Sequence, residues 1–318
     1  IKAHASGSVT NFSGQTENLI FLGDAGNDTL RGGTGNDTLT GAQGVDTFNV
    51  GGGTDTITDL SSNDVLIVGS GATANASDIS SFTANSSTTN AGTANLTAAS
   101  GGATINVSSA GSGGFNLIGG AGTDILTGGS GVDTFTVAAS GEANSDTLNG
   151  GTGTDSLVLS AGTHIFSDNA KISNIESVTL NNSGTDLNLS SQSEGFTIVG
   201  AAGVDVIRGG AGDDIFLDFG VSTIYGGEGD DNFNRDDEDP DDSYGSYGLI
   251  LYGEEGNDSF NYLQNVKIID AGTGDDEVAI LGNGTASPTS IKGGDGYDKL
   301  IINAGYPHWS IISGFEEI

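Results

Sequence analysis

The sequence contains no cysteine and no methionine, and it sets only 8 Lys and Arg against 42 Asp and Glu. Without cysteine there are no disulfides, which leaves a metal as the staple for a chain that needs one. Without methionine, Ile1 is not a translation start, and the chain is expected to be a mature or excised piece. No run of 18 apolar residues occurs, so no membrane span is expected, and no signal peptide is visible. The formal net charge of −34 argues against nucleic acid as a partner, because so large an excess of negative charge repels phosphates.

Catalytic signatures are missing as well. There is no G-x-S-x-G and no H-E-x-x-H, and His4, His164 and His308 are the only histidines. His164 and His308 lie beside apolar residues, where packing is the default role, and the single Trp309 stands in the place equivalent to Phe166. Carboxylate pairs abound, but those at repeat positions are committed elsewhere. The expectation is that the chain is not an enzyme.

What the chain has in excess is glycine, 55 of 318 residues. That is about 17%, against a usual usage near 7%. Each glycine costs extra backbone entropy to order, so something must compensate. The acids say what, because they are regularly spaced. Asp28, Asp37, Asp46, Asp55 and Asp64 recur every nine residues, and Leu30, Leu39, Phe48, Ile57 and Leu66 follow each by two. Asp124, Asp133, Asp146 and Asp155 are followed at the same offset by Leu126, Phe135, Leu148 and Leu157. Asp205, Asp214 and Asp231 precede Ile207, Phe216 and Phe233, and Asp258, Asp276 and Asp298 precede Phe260, Val278 and Leu300. All but Asp64 and Asp146 have glycine two positions earlier.

Gly32-Gly33-Thr34-Gly35-Asn36-Asp37-Thr38-Leu39-Thr40 is a complete copy of G-G-x-G-x-D-x-U-x, where U is large and apolar. This nonapeptide is a recognised mark of a calcium-binding parallel β-helix. The glycine half turns tightly, and the x-U-x half is a short strand with its central side chain inward. Two nonapeptides make a coil of 18 residues, and stacked coils pair their strands and bury U in a narrow core. One apolar side chain per nine residues is a thin core, so burial alone should not hold it. Stacking also sets the aspartate of one coil over that of the next, as in Asp28/Asp46, Asp37/Asp55 and Asp46/Asp64. A Ca²⁺ between coils would take both carboxylates and main-chain carbonyls, giving the hard oxygen ligands that ion prefers. Asp124/Asp146 and Asp133/Asp155 are 22 apart, which requires a four-residue bulge between Ala138 and Asn144. The half-coil from Tyr262 to Asp270 lacks the glycine box and offers only Ile269 inward, so calcium is expected along one edge there.

The expected fold is all-β, a right-handed parallel β-roll or β-solenoid with calcium between successive turns. Its organisation follows from the spacing: 1–67, a first repeat block; 68–113, Ser/Thr/Ala/Gly-rich coils without calcium, or a linker; 114–185 and 186–234, a second and third block; 235–248, an acidic insertion; and 249–318, a fourth block. Each block opens with an apolar strand lacking its own glycine box (Leu19-Ile20-Phe21, Phe115-Asn116-Leu117, Phe196-Thr197-Ile198, Leu249-Ile250-Leu251), which suggests a cap on which a ladder starts. GGTGTDSLVLSAGTHIF and the later ISNIESV match GGDGYDKLIINAGYPHW and ISGFEEI, and because the second match stops early the chain is expected to continue past 318.

These repeats, together with DTITDLSSNDVLIV at 55–68, resemble the RTX family of secreted calcium-binding bacterial proteins. The resemblance implies export, often by type I secretion, folding on external calcium, and the fifteen aspartates above as metal ligands. The Thr/Ser/Ala/Asn/Gly bias and the I-S-x-I/F-E coils are most similar to surface-layer and large adhesin proteins. That implies a structural protein at the bacterial cell surface whose partners are calcium ions and copies of itself or other surface components. The alternative is a calcium-folding type I secretion module of a larger secreted hydrolase or toxin.

Overall fold

The computed structural model describes every residue except 2–6, 138–144, 183, 202, 218, 221, 235–247, 264–265, 282–287, 304–310 and 318. His4, His308, Trp309, the bulge expected between Ala138 and Asn144, and all of the acidic insertion but Gly248 lie outside the described residues. Those described form no α-helix, and no helix is long and apolar enough to cross a membrane. The chain is all-β and divides into two compact units. Unit 1 is Ile1–Leu157 with Ile172–Ile175, and unit 2 is Val158–Lys171 with Glu176–Ile318.

Both units are parallel β-solenoids. A parallel pair needs a crossover between its strands, and here the crossover is itself a strand of another sheet. In unit 1, Ile20–Leu22, Thr38–Thr40, Thr54–Ile57, Thr73–Ile79, Thr93–Ala98, Asn116–Ile118 and Thr134–Val137 pair in that order. The strands between them build a second sheet from Val9–Asn11 to Thr89–Asn90 and a third from Ser81–Thr83 to Ile172–Ser173. In unit 2, one sheet runs from Ser177–Leu180 to Lys299–Asn303 and the other from Gly162–Ile165 to Ile312–Ser313.

The register puts one inward side chain over the next. Phe21, Leu39, Ile57, Ala76, Leu96, Leu117 and Phe135 form one such file in unit 1. Val178, Ile198, Phe216, Phe233, Phe260, Val278 and Leu300 form another in unit 2. Within that second file the rings of Phe216, Phe233 and Phe260 stack at 4.9 and 4.5 Å. All fifteen apolar residues two places after the repeat aspartates are at most 1% exposed. The strand period of two thus holds through the whole repeat, with U inward and its neighbours outward.

Three of the four strands expected to be caps are interior. Asn116–Ile118 lies between Thr93–Ala98 and Thr134–Val137. Thr197–Val199 lies between Ser177–Leu180 and Ile215–Leu217, and Leu249–Glu255 between Thr223–Glu228 and Val266–Thr273. A coil without the glycine box can stack on one that has it, because strand pairing and the inward file are common to both. Residues 68–113 do this, supplying the strands from Thr73–Ile79 to Thr104–Asn106.

Candidate metal centre

Thirteen of the fifteen repeat aspartates follow a glycine turn, Asp64 and Asp146 being the exceptions, and each stands directly before a strand or, at Asp55, within its first two residues. All fifteen are at most 2% exposed. Burying an ionised carboxylate is expensive unless it is paired, and the main chain supplies part of the pairing. The Asp28 N–H donates to Asp46 Oδ1 at 2.8 Å, Asp37 N–H to Asp55 Oδ1 at 2.9 Å and Asp46 N–H to Asp64 Oδ1 at 2.8 Å. Asp124 donates to Asp146 and Asp133 to Asp155, both across 22 residues. In unit 2 the chain of bonds is unbroken: Asp214 to Asp231, Asp231 to Asp258, Asp258 to Asp276 and Asp276 to Asp298, at separations of 17, 27, 18 and 22 residues. The stacking of aspartate on aspartate is therefore present, and it tolerates unequal coil lengths.

Columns begin where the preceding coil has no aspartate. Ser8, Leu19, Ala103, Phe115, Thr185 and Phe196 give their N–H groups to Asp28, Asp37, Asp124, Asp133, Asp205 and Asp214. Unit 2 carries its long column along one edge. The opposite edge holds Asp205, whose N–H meets Ser222 Oγ at 3.3 Å, so the next coil offers a hydroxyl there. Glu316 receives the Asp298 N–H at 2.8 Å and extends the long column. The spacing of aspartates missed it, although the repeated I-S-x-I/F-E coil was its signal. Asp59 was also missed, because it occupies the place of the first glycine. Its two oxygens accept the N–H groups of Gly41 and Ala42.

The second carboxylate oxygen tells more. In Asp37, Asp133 and Asp214 it accepts an N–H from its own turn, from Gly33, Gly129 and Gly210. In Asp55, Asp231, Asp258, Asp276 and Asp298 Oδ2 is buried with no hydrogen-bond partner. Burial pushes Asp231 up to about 8, Asp258 to about 7, and Asp55, Asp214 and Asp276 to about 6; main-chain N–H bonds oppose the rise and neighbouring carboxylates add to it. Asp46, Asp64, Asp133, Asp205 and Asp298 are raised for the same first reason. Such a column is unfavourable as charge unless a cation compensates it.

The glycines hold space for one. A Cβ on Gly23 would collide with the Gly41 carbonyl of the next coil and stand 2.7 Å from Asp28 Oδ2. One on Gly128 would strike the Gly150 carbonyl and stand 2.6 Å from Asp133 Oδ2. Gly150, Gly209, Gly226, Gly253 and Gly293 repeat the arrangement, each between its own aspartate and a carbonyl of the following coil. Farther round the turn, Gly44 has φ +142° and lies against the Gly26 carbonyl, so it needs both the conformation and the room. Among the described residues no three His, Cys, Asp or Glu side chains gather at one point. The donors on offer are carboxylate oxygens with main-chain carbonyls, which suit a hard cation of calcium's kind.

The described histidine is not part of this. His164 is fully buried at the head of the file His164, Leu187, Ile207, Ile224, Leu251, Ile269 and Ile291. Its Nε2 lies 2.9 Å from the Ser160 carbonyl, and burial lowers its pKa, so it packs as a neutral ring.

A family model for the RTX calcium-binding nonapeptide repeat matches residues 22–57, 50–72, 100–136, 139–163, 197–217 and 219–239. The matches end before Asp258, Asp276 and Asp298, yet those three continue the hydrogen-bonded column begun at Asp214. No curated protein matches the chain.

Proposed function

We propose, from the premise that this chain is built of RTX calcium-binding nonapeptide repeats, that it is an extracellular structural protein of the surface-layer or adhesin type, folded and stiffened by many calcium ions. The observation that carries the reading is the column of buried aspartates in unit 2, where the Oδ2 atoms of Asp231, Asp258 and Asp298 lack a hydrogen-bond partner and face a carbonyl of the next coil across Gly226, Gly253 and Gly293. An ion held there would take Asp28 with Asp46, Asp46 with Asp64, Asp37 with Asp55, Asp124 with Asp146 and Asp133 with Asp155. In unit 2 it would take successive members of the column from Asp214 to Asp298, with Asp205 on the opposite edge. Calcium supplies charge compensation between coils, and the chain's residues supply register, exclusion of water and the carbonyl oxygens. The work of such a protein is mechanical, not catalytic, and its site of action is the bacterial cell surface after secretion. Its partners there are further copies of itself or other surface components.

The test is a calcium titration followed by circular dichroism, by mass-spectrometric counting of bound ions and by light scattering. Gain of β-structure, binding of many ions and assembly into larger particles support the reading. A chain that folds with calcium yet stays monomeric at every concentration, beside a catalytic domain in the same gene, would favour the secretion-module alternative. A β-rich spectrum indifferent to chelator would remove the calcium role itself.

A further inference from the structure

We propose that Asn149-Gly150 is a site of spontaneous covalent modification, closed while the coils are folded and opened when calcium is withdrawn, at which asparagine converts to isoaspartate. The inference rests on the calcium reading above and adds to it a chemical consequence of losing the ion.

The fold creates the site by demanding glycine. A Cβ on Gly150 would collide with the Asn174 carbonyl and stand 2.5 Å from Asp155 Oδ2, so no larger residue fits there. Glycine is also the residue whose main-chain nitrogen most readily attacks the side chain before it, because no Cβ crowds the approach. At Gly32, Gly128, Gly209, Gly226 and Gly293, which hold the same place in other repeats, the preceding residue is Arg31, Thr127, Arg208, Tyr225 or Lys292. None of these carries a carboxamide, and Asn149 does. The other Asn-Gly pair, Asn283-Gly284, lies outside the described residues.

The reaction needs no partner but water. The Gly150 nitrogen bonds to Asn149 Cγ, the Cγ–Nδ2 bond breaks, and ammonia leaves with the proton that the Gly150 nitrogen gives up. Water then opens the five-membered imide at either carbonyl, its hydroxyl going to carbon and its proton to nitrogen. One opening gives aspartate. The other gives isoaspartate, in which the main chain runs through the former side chain and gains a methylene.

Folded coils hold every atom of this reaction in place. Asn149 ends the strand Thr147–Asn149, and its peptide link to Gly150 is bonded on both sides. The Gly128 N–H donates to the Asn149 carbonyl at 2.8 Å, and the Gly150 N–H to the Ser173 carbonyl at 2.9 Å. Asn149 Oδ1 accepts from the Gly151 N–H and from Asn174 Nδ2, each at 3.0 Å. Attack requires the Gly150 nitrogen to leave Ser173 and the carboxamide to swing away from Gly151, so the rate follows how often these coils open. Asp155 lies five residues on and accepts the Asp133 N–H, which is the stack that calcium would hold shut. After conversion, the added methylene stands directly before the glycine that makes room beside Asp155. The turn then no longer closes in register, and a spell without calcium becomes a permanent loss of the Asp133/Asp155 site.

The experiment incubates the whole chain at mildly alkaline pH in calcium, in chelator and in urea. Peptide mapping by mass spectrometry reads conversion at Asn149, and the ions bound once calcium is restored are counted in the same samples. Conversion should be at least about tenfold faster in chelator than in calcium, approaching the rate in urea. The converted chain should rebind fewer ions than fresh chain. Asn149→Gln keeps the amide but would have to close a six-membered ring, which forms slowly, so after the same exposure it should rebind its full count. That variant also separates Asn149 from Asn283. Equal conversion in calcium and in chelator, in samples shown to differ in bound ions, would overturn the proposal. So would an Asn149 left intact in chelator, or an equal loss of ions by the parent and by Asn149→Gln. A chain that binds no calcium in any sample would instead remove the calcium reading, and the gate with it.

Discussion

Two stretches of unit 1 build the same coil with different chemistry. From Thr29–Arg31 to Val65–Val68 the strands are three or four residues long, glycine makes the turns, and buried aspartates join one coil to the next. From Thr73–Ile79 to Asn116–Ile118 no buried aspartate intervenes, and the strands at Thr73–Ile79 and Thr93–Ala98 extend to seven and six residues. Ala72, Ala74, Ala76, Ala94 and Ala98 fill the inward positions with Ile79, Phe82 and Leu96. Outside, an amide ladder replaces the carboxylate column: Asn95 Nδ2 donates to Asn75 Oδ1 at 2.7 Å, and Asn116 Nδ2 to Asn95 Oδ1 at 2.6 Å. Buried Asn90 likewise gives its amide to the Gly114 carbonyl. An amide carries donor and acceptor together, so it repeats along a stack without a counter-ion. Register and inward file are common to both stretches, and only the means of satisfying the stack differs. Metal should therefore be essential to one and indifferent to the other.

Metal removal is the largest test. Each ion at about ten times its Kd adds roughly 1.4 kcal/mol, so some ten ions would rival the ~5–15 kcal/mol of an ordinary domain. Hydrogen exchange on the intact chain in excess chelator should show amides of the aspartate coils exposed within the dead time. Protection should persist from Thr73 to Ile118. Uniform protection, or uniform loss, would erase the distinction between the two stretches.

Proton binding sharpens it. In chelator the folded-state pKa values of Asp231, Asp258, Asp55, Asp214 and Asp276 lie at about 8, 7, 6, 6 and 6, above the ordinary 3.8. Their folded forms hold protons more tightly than their unfolded forms do, so the stabilising contribution is full below about pH 4 and is lost as pH rises through about 6 to 8. Metal-free aspartate coils should accordingly regain exchange protection on acidification from pH 8 to 5, whereas 73–118 should not change. With calcium present the sign reverses, since protons then compete with the ion for the same oxygens. An acid-insensitive metal-free chain would count against the buried carboxylates.

A single column can be probed at its middle and its end. Asp46 has an aspartate on either side, Asp28 and Asp64, whereas Asp28 has only the Ser8 N–H before it. Asp46→Ala should release about twice as much calcium as Asp28→Ala and lower the melting temperature further at fixed free calcium. Equal losses would mean that Asp46 is not shared between two ions.

Much of this architecture was legible because the repeat is local. One nonapeptide fixes which residue turns, which is buried in the turn and which points to the core, and the fifteen aspartates with the fifteen apolar residues after them occupy those places. What escaped depended on distance along the chain. Asp231 and Asp258 are 27 residues apart, so spacing placed them in different blocks, yet the N–H of one donates to the other. The same bond recurs at separations of 17, 18, 22 and 27 residues, so register is kept whatever the coil length. Strands such as Asn116–Ile118 resembled caps because they lack a glycine box, but pairing asks only for an extended backbone and an inward apolar residue. The amide ladder carried no signal, because asparagines 20 and 21 residues apart follow no motif until the fold aligns them.

The smallest effect tests that ladder. Asn95 is its middle rung, donating to Asn75 and accepting from Asn116. Asn95→Ala removes both bonds at once. Each is half-buried, and an intramolecular hydrogen bond contributes about 1 kcal/mol net, so the loss should be about 1–2 kcal/mol. Because the side chain is outward and the file through Ala76, Leu96 and Leu117 stays intact, no cavity adds to this. The loss should be the same with calcium and with chelator, and the count of bound ions should not change. Asn95→Asp sharpens the comparison, since a carboxylate keeps the acceptor for Asn116 but loses the donor to Asn75. It should be destabilising in chelator, and less so below about pH 4, where the protonated acid can donate again. Exchange protection across Thr73–Ile79 and Thr93–Ala98 in chelator reads both variants directly. If Asn95→Ala leaves that protection unchanged, the alanine-lined core alone holds the metal-free stretch and the ladder is incidental to it.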